Sequence, residues 1–226
     1  MTAPFPKSLI DGYQAFLNGR FARERQRFAD LAEKGQHPKI MVVGCCDSRV
    51  SPEVIFDAGP GEIFVVRNVA NLVPPYETGG RFHGTSAALE FGVQVLRVTD
   101  IVILGHASCG GFQAFANRSS APLSPGDFIG KWMNLMAPAA KSVPQRPKEP
   151  LTDYADRLGQ AAIGYSLANL RTFPCVRILE EKGKLALHGA WFGIAAGVLS
   201  RRDPETGEFV PVVDSPPNRI SVLACR

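Results

Sequence analysis

Three short apolar runs frame the chain: Ile40-Met41-Val42-Val43, Ile63-Phe64-Val65-Val66 and Ile101-Val102-Ile103-Leu104. None alternates with polar residues, so each reads as a strand buried on both faces, as in a parallel sheet covered by helices. They lead into Gly44-Cys45, Arg67-Asn68 and Gly105-His106 respectively. Between the second and third runs, the spacing of Leu89, Val93 and Leu96 predicts a helix over about 84–97, which gives βαβ order. Ahead of the first run, Ile10, Tyr13, Leu17, Phe21, Phe28 and Leu31 fall near one stripe and predict a helix over 8–33. That helix either packs on its own domain or reaches across to a partner subunit.

The middle of the chain is looser. Ser119 to Gly126 and Pro138 to Pro150 carry prolines and small polar residues and read as surface connections, separated by a helix over about 127–136. Helical spacing returns over 151–172 through Leu151, Tyr154, Leu158, Ala161, Tyr165 and Ala168, and Pro174 marks a helix restart. In the last third, 185–194 and 197–201 read as strands, and Asp203 to Gly207 is a turn into 209–213. The expected fold is therefore α/β: one domain over 1–226, a central, mostly parallel sheet flanked by helices, an N-terminal helical arm (1–35) and a C-terminal edge hairpin.

Composition narrows the function classes. With 226 residues the chain is long enough for one full core. Twenty-five basic against twenty-one acidic side chains leave +4, with no run of five like charges, so nothing argues for nucleic acid or a membrane surface. No apolar stretch approaches the roughly 20 residues that span a bilayer, and Met1 to Lys7 lacks a signal-like apolar region. A soluble, cytoplasmic protein is the expectation. Five cysteines (45, 46, 109, 175 and 225) are an odd number, which does not suggest a disulfide framework.

The chemistry gathers after two of the strands. Cys45 and His106 each follow an apolar run and a glycine, and Cys109 comes three positions after His106. If the two strands are adjacent, these side chains converge at their carboxyl ends, where open parallel sheets place their sites. Two thiolates and an imidazole suit Zn²⁺, and three protein ligands leave a fourth position open, as catalytic zinc requires. Asp47, two residues from Cys45, is placed to accept a hydrogen bond from the zinc-bound hydroxide. Arg49 can pair bidentately with that carboxylate, keeping it ionised and off the metal. The same spacing permits a closed state in which Asp47 is the fourth ligand.

Cys45-Cys46-Asp47-Ser48-Arg49 together with His106-Ala107-Ser108-Cys109-Gly110-Gly111 resembles the paired signature of the β-carbonic anhydrases, plant-like branch. The segment Phe64 to Asn71 is similar to the stretch between the family's two motifs. The resemblance implies Cys45, His106 and Cys109 as ligands of one zinc per subunit, with Asp47 and Arg49 as the catalytic dyad. It also implies a dimer as the minimal unit, often paired into tetramers, with the N-terminal helix embracing the neighbour. Gln36 matches a glutamine that contacts substrate across the dimer interface. Phe64, Val69 and Phe91 match the apolar wall beside the zinc, and Gly110 matches a glycine whose N–H faces the substrate. Phe91 stands where that branch often has tyrosine. Val42 stands where the regulated branch keeps a tryptophan, so an open site with weak bicarbonate regulation is expected.

The activity so implied is reversible hydration of carbon dioxide to bicarbonate and a proton on a metal-bound hydroxide. Hydrolysis of carbonyl sulfide or carbon disulfide is a rival on the same site, and a non-catalytic zinc or redox-sensing protein is a rival from another class. Cys46 is expected to point away from the metal, Cys175 to be buried, and His188 to bond backbone in a strand. Neither His83 nor His37 is assigned as a proton shuttle.

Overall fold

The three apolar runs become neighbouring strands: β1 (Ile40–Cys45), β2 (Ile63–Asn68) and β3 (Asp100–His106) are parallel, with β1 between the other two. The computed structural model describes residues 4–79, 83–117, 122 and 125–213, and structural statements below refer to these. β4 (Ala186–Gly193) adds parallel to β3, and β5 (Val198–Arg202) and β6 (Phe209–Pro211) return antiparallel. The sheet order is β2-β1-β3-β4-β5-β6. The turn before β6 is tied by Asp203, whose carboxylate accepts the N–H groups of Glu205 and Thr206.

Helices cover one face of the sheet, whereas the other is only partly covered, and all six residues of β2 are partly buried rather than enclosed on both faces. In chain order the helices are α1 (Lys7–Phe16), α2 (Ala22–Lys34), α3 (Pro52–Ile55), α4 (Gly84–Glu90) and α5 (Gly110–Ala116). Then come α6 (Phe128–Met133), α7 (Ala137–Ser142), α8 (Leu151–Leu170) and α9 (Pro174–Glu181). Met41, Val43, Ile101 and Ile103 pack on one face with Leu89 and Val93, while Val42, Leu104 and Ala190 pack on the other.

α8 buries Leu158, Ala162, Ile163 and Leu170 completely. It lies close to the sheet because glycines let it. A Cβ on Gly105 would stand 2.9 Å from Ile163 Cδ1 and 3.0 Å from Trp191 Cε3. Gly105 immediately precedes His106, so this close packing also fixes the end of β3.

Four expectations need correction. The connection expected over 138–150 begins with α7, because Pro138 falls in the first helical turn, where its missing N–H costs nothing. The predicted 84–97 helix is α only as far as Glu90 and closes through a π turn, Phe91–Val95. The arm likewise contains a π turn, Leu17–Phe21, between α1 and α2. Cys175 is half-buried against the core. Cys225 and most of the 119–124 connection lie outside the described residues.

The arm has an unusual surface. Neither α1 nor α2 has a fully buried residue. Phe16, Phe21 and Phe28 pack on one another with centroids 5.2–5.8 Å apart. Arg27 ties α2 to the loop before β2 through Pro60 O at 2.9 Å and Glu62 at 2.9 Å. Phe5, Leu9, Ile10 and Tyr13 remain open to solvent.

Replacing Gly105 with alanine should destabilise the protein by about 1–3 kcal/mol, the usual cost of overpacking a dense core. The urea midpoint is the measurement, and an unchanged midpoint would mean that Ile163 and Trp191 give way freely. A second expectation concerns the loop before α8. Arg157 holds Glu149 bidentately at 2.7 and 2.8 Å, and the Arg146 N–H adds a third bond. Together they press the Glu149 carboxyl down to about 2 from an ordinary value of 4.5. A depressed carboxyl stabilises the fold above its unfolded-state value, and that contribution disappears as pH falls through the folded value. Arg157→Gln should therefore lower the urea midpoint at neutral pH, and the gap from the parent should close as pH drops below the ordinary carboxylate value.

Candidate metal centre

β1 is where the chain changes direction across the sheet: β2 lies on one side of it and β3 on the other. Such a switch point opens a crevice beyond the carboxyl ends of the strands. Cys45 is the last residue of β1 and His106 the last of β3. Cys109 follows at the residue before α5, after a loop in which Ser108 takes the left-handed conformation at φ +57°.

Cys45, His106 and Cys109 are all buried, and one donor atom from each lies within 4.8 Å of the others. The two sulfurs are 3.9 Å apart. A tetrahedral zinc with bonds of about 2.3 Å to sulfur would separate them by about 3.8 Å. His106 Nδ1 faces Ala107 O at 2.9 Å, which assigns the proton to Nδ1 and leaves the Nε2 lone pair aimed at the sulfurs. Nε2 is buried and has no hydrogen-bond partner. A buried imidazole nitrogen is rarely left so, and a cation completes it. The donor set fits zinc.

Electrostatics agree. The hydrogen bond from the Cys109 thiol, with the Ala70 N–H at 3.4 Å, draws the Cys45 thiol well below its ordinary value despite its burial. Cys109, giving up that hydrogen bond and buried beside a thiolate, is pushed up. One proton is thus shared by two sulfurs, and a divalent cation would displace it.

Asp47 stands at the mouth of this cluster. Its Oδ1 accepts from the Arg49 backbone N–H at 3.0 Å and Nε at 2.9 Å, and its Oδ2 from Nη2 at 2.6 Å. The Arg49 guanidinium first, and then its backbone N–H, hold the carboxyl well below the usual range. Oδ2 is 4.0 Å from His106 Nε2. The same Nη2 also reaches Ser108 O at 3.1 Å, joining the two motif loops.

Other sequence-predicted residues divide into near and far. Val69 packs beside the cluster that contains Cys45 and Cys109. Gly110 opens α5, and a Cβ there would meet nothing within 4 Å. Phe64 pairs with Met41, four positions before the Cys45–Asn68 pair, which is about 13 Å along the strand. Phe91 packs against Phe64 with tilted rings, centroids 5.9 Å apart, and is half-exposed. Gln36 is exposed beyond α2. Within one chain, then, Phe64, Phe91 and Gln36 are not brought to the metal cluster. Cys46 is exposed and is not among the converging donors. His188 bonds the Asp100 carboxylate at 2.9 Å rather than backbone, because the neighbouring strand end presents an acid there.

Sequence reasoning missed the groups that hold the backbone. Arg67 donates to Cys45 O at 2.8 Å and to Asp47 O at 2.7 Å, bracketing the first motif. Ala70, at φ +64°, turns its N–H to Cys45. Asp156 accepts the Ser108 N–H at 2.7 Å. Arg67 and Ala70 lay in a segment singled out in the sequence, but nothing in their spacing specified these roles, and Asp156 lay in none.

An α/β fold with a buried Cys₂His donor set at the switch point defines a metal centre with three protein donors. Residues 40–199 match the family model described as carbonic anhydrase. The chain is 37% identical over 212 residues to a carbonic anhydrase of Pseudomonas aeruginosa, covering 93% of each. Its structure is similar to that of the β-carbonic anhydrase CcaA, with TM-score 0.79, 29% identity and 91% of each chain covered. It also resembles a tetrameric β-carbonic anhydrase of the ascomycete Sordaria macrospora, with TM-score 0.73, 27% identity, and 86% of this chain and 94% of that one covered. The chain belongs to the β-carbonic anhydrases, zinc enzymes that interconvert carbon dioxide and bicarbonate.

Proposed function

We propose that Cys45, His106 and Cys109 hold one zinc ion per subunit, and that Asp47 and Arg49 direct the nucleophile in carbon dioxide hydration. One observation carries this reading: His106 Nε2 is buried without a partner and faces two sulfurs 3.9 Å apart. When bound, zinc supplies a Lewis acid that brings the ionisation of water toward neutral pH; a value near 7 is the figure known for carbonic anhydrase itself.

The protein's part is orientation. Asp47, kept ionised by Arg49, accepts a hydrogen bond from the attacking oxygen and turns its lone pair toward carbon. Both carboxylate oxygens are engaged by Arg49, which supports the open reading, with Asp47 off the metal. Val69 offers carbon dioxide an apolar surface beside the cluster, and the Gly110 N–H faces the substrate. Carbon dioxide is small and uncharged, so it requires little more than such a wall.

Gln36, Phe64 and Phe91 serve a site only if it belongs to a neighbouring subunit, since their own cluster is out of reach. That supports a homodimer as the working unit, with the 1–35 arm at the interface and tetramers as pairs of dimers. The exposed Phe5, Leu9, Ile10 and Tyr13 give the arm an apolar face for this purpose. Among the described residues no helix is long and apolar enough to cross a membrane. Free, unpaired cysteines at the centre suit a reducing compartment, and the cytoplasm is the proposed location.

The decisive experiment is rapid-mixing hydration with zinc quantified. Cys109→Ala should lose zinc. Asp47→Ala should keep it and turn over at least about tenfold more slowly, as expected when a positioned proton-accepting group is removed. Zinc retained at parental level in Cys109→Ala would overturn the ligand assignment. Removing residues 1–35 should shift the protein toward monomers in light scattering, whereas an unchanged mass would separate the arm from assembly.

A further inference from the structure

We propose that Asp156 of α8 is a positioning residue for the loop that carries two of the three metal donors. The inference rests on the ligand assignment above and extends it to a group outside both motifs. Its basis is the loop His106-Ala107-Ser108-Cys109, which must return two donors to one point within four residues.

The middle of that loop is strained. Ser108 sits at φ +57°, a conformation that L residues other than glycine, asparagine and aspartate seldom adopt. Both polar groups of this residue's backbone are held. Its N–H donates to Asp156 Oδ1 at 2.7 Å, and its carbonyl accepts from Arg49 Nη2 at 3.1 Å. The preceding carbonyl, Ala107 O, fixes the imidazole through Nδ1 at 2.9 Å. Three consecutive backbone groups thus orient His106, anchor the loop and dock the dyad.

Of these anchors, Asp156 is the one tied to rigid structure. It is half-buried on a 20-residue helix between Ala155 and Leu158, which are 1% and 0% exposed. Arg49 is a long, largely exposed side chain and follows the loop rather than setting it. Without the Asp156 acceptor, Ser108 relaxes from the left-handed region. The carbonyl then turns away from Arg49, and Cys109 shifts relative to His106. Asp156 acts through Ser108 and touches neither metal nor substrate.

The test uses the zinc-loaded full chain and reads zinc release to a chromogenic chelator at neutral pH. Asp156→Ala should release zinc about 10- to 100-fold faster than the parent, the range for loss of a group that supports a metal ligand. Asp156→Asn keeps an oxygen acceptor and should stay near the parent. Adding Ser108→Gly to Asp156→Ala should restore most of the retention, because glycine holds a positive φ without a partner. Asp156→Ser, too short to reach the loop, is measured alongside and replaces alanine if that variant does not fold.

Three results would overturn the proposal: parental release in Asp156→Ala or Asp156→Ser, release from Asp156→Asn as fast as from the alanine variant, or no rescue by Ser108→Gly. Cys109→Ala in the same assay separates the two levels. If it loses zinc while the Asp156 variants do not, the positioning role fails and the ligand assignment stands. If it retains zinc, the ligand assignment itself fails.

Discussion

The site depends on parallel pairing of β1 with β3 in one register. Gly44 lies opposite Leu104, so Cys45 and His106 end their strands at the same edge of the sheet. A strand pair slipped by one residue would reverse which side chains face each core. Met41, Ile101 and Ile103, all fully buried, oppose such a slip, because each would exchange its packed face for the other. The hydrophobic core and the metal centre are therefore specified by the same contacts. The closeness of α8 to Gly105 belongs to the same constraint, since it bears on the residue next to His106.

Around that frame the polar groups serve mainly to hold backbone. Arg67 pins the carbonyls on either side of Cys46, Ala70 turns an N–H onto the Cys45 sulfur, and Asp156 and Arg49 grip Ser108 from opposite sides. This follows from the charge of the donor set. In the proposed site two thiolates would neutralise a zinc dication, so the ion alone would polarise water less than it would with neutral ligands. Hydrogen bonds to the sulfur and a carboxylate kept ionised by Arg49 would supply the remaining polarisation, and would do so only with the loops held rigid.

Much of this was legible along the chain, for particular reasons. Apolar runs without alternation mark buried parallel strands, so β1, β2 and β3 were readable to within a residue or two. Cys45, Asp47, Arg49, His106 and Cys109 were readable as a constellation because each has a side-chain chemistry with few competing uses in that spacing. Ser108 and Ala70 were not, since a serine and an alanine at positive φ leave no trace in composition or period. Asp156 was hidden differently: it sits on a helix 48 residues from its partner, and an aspartate on a half-exposed helical face has no distinguishing pattern. The π turns at Leu17–Phe21 and Phe91–Val95 escaped because one extra residue per turn barely alters a hydrophobic stripe.

The position of Phe64 shows where a single chain stops being enough. The residue is on the strand that leads to the centre, yet four rungs short of it, and its ring meets Phe91 rather than the donors. A pair of half-exposed aromatic rings is costly to leave in water and useless to its own zinc. Both facts have one resolution if the pair closes against a second copy. The arm points the same way, with no fully buried residue of its own and four large apolar side chains turned outward. The donor set is complete within one subunit, whereas on the proposed reading the apolar wall and the arm would be completed by a second copy, so metal binding and substrate enclosure would place separate demands on assembly. A folded monomer would then be expected to hold its metal and still lack part of the pocket, which makes association itself a determinant of turnover.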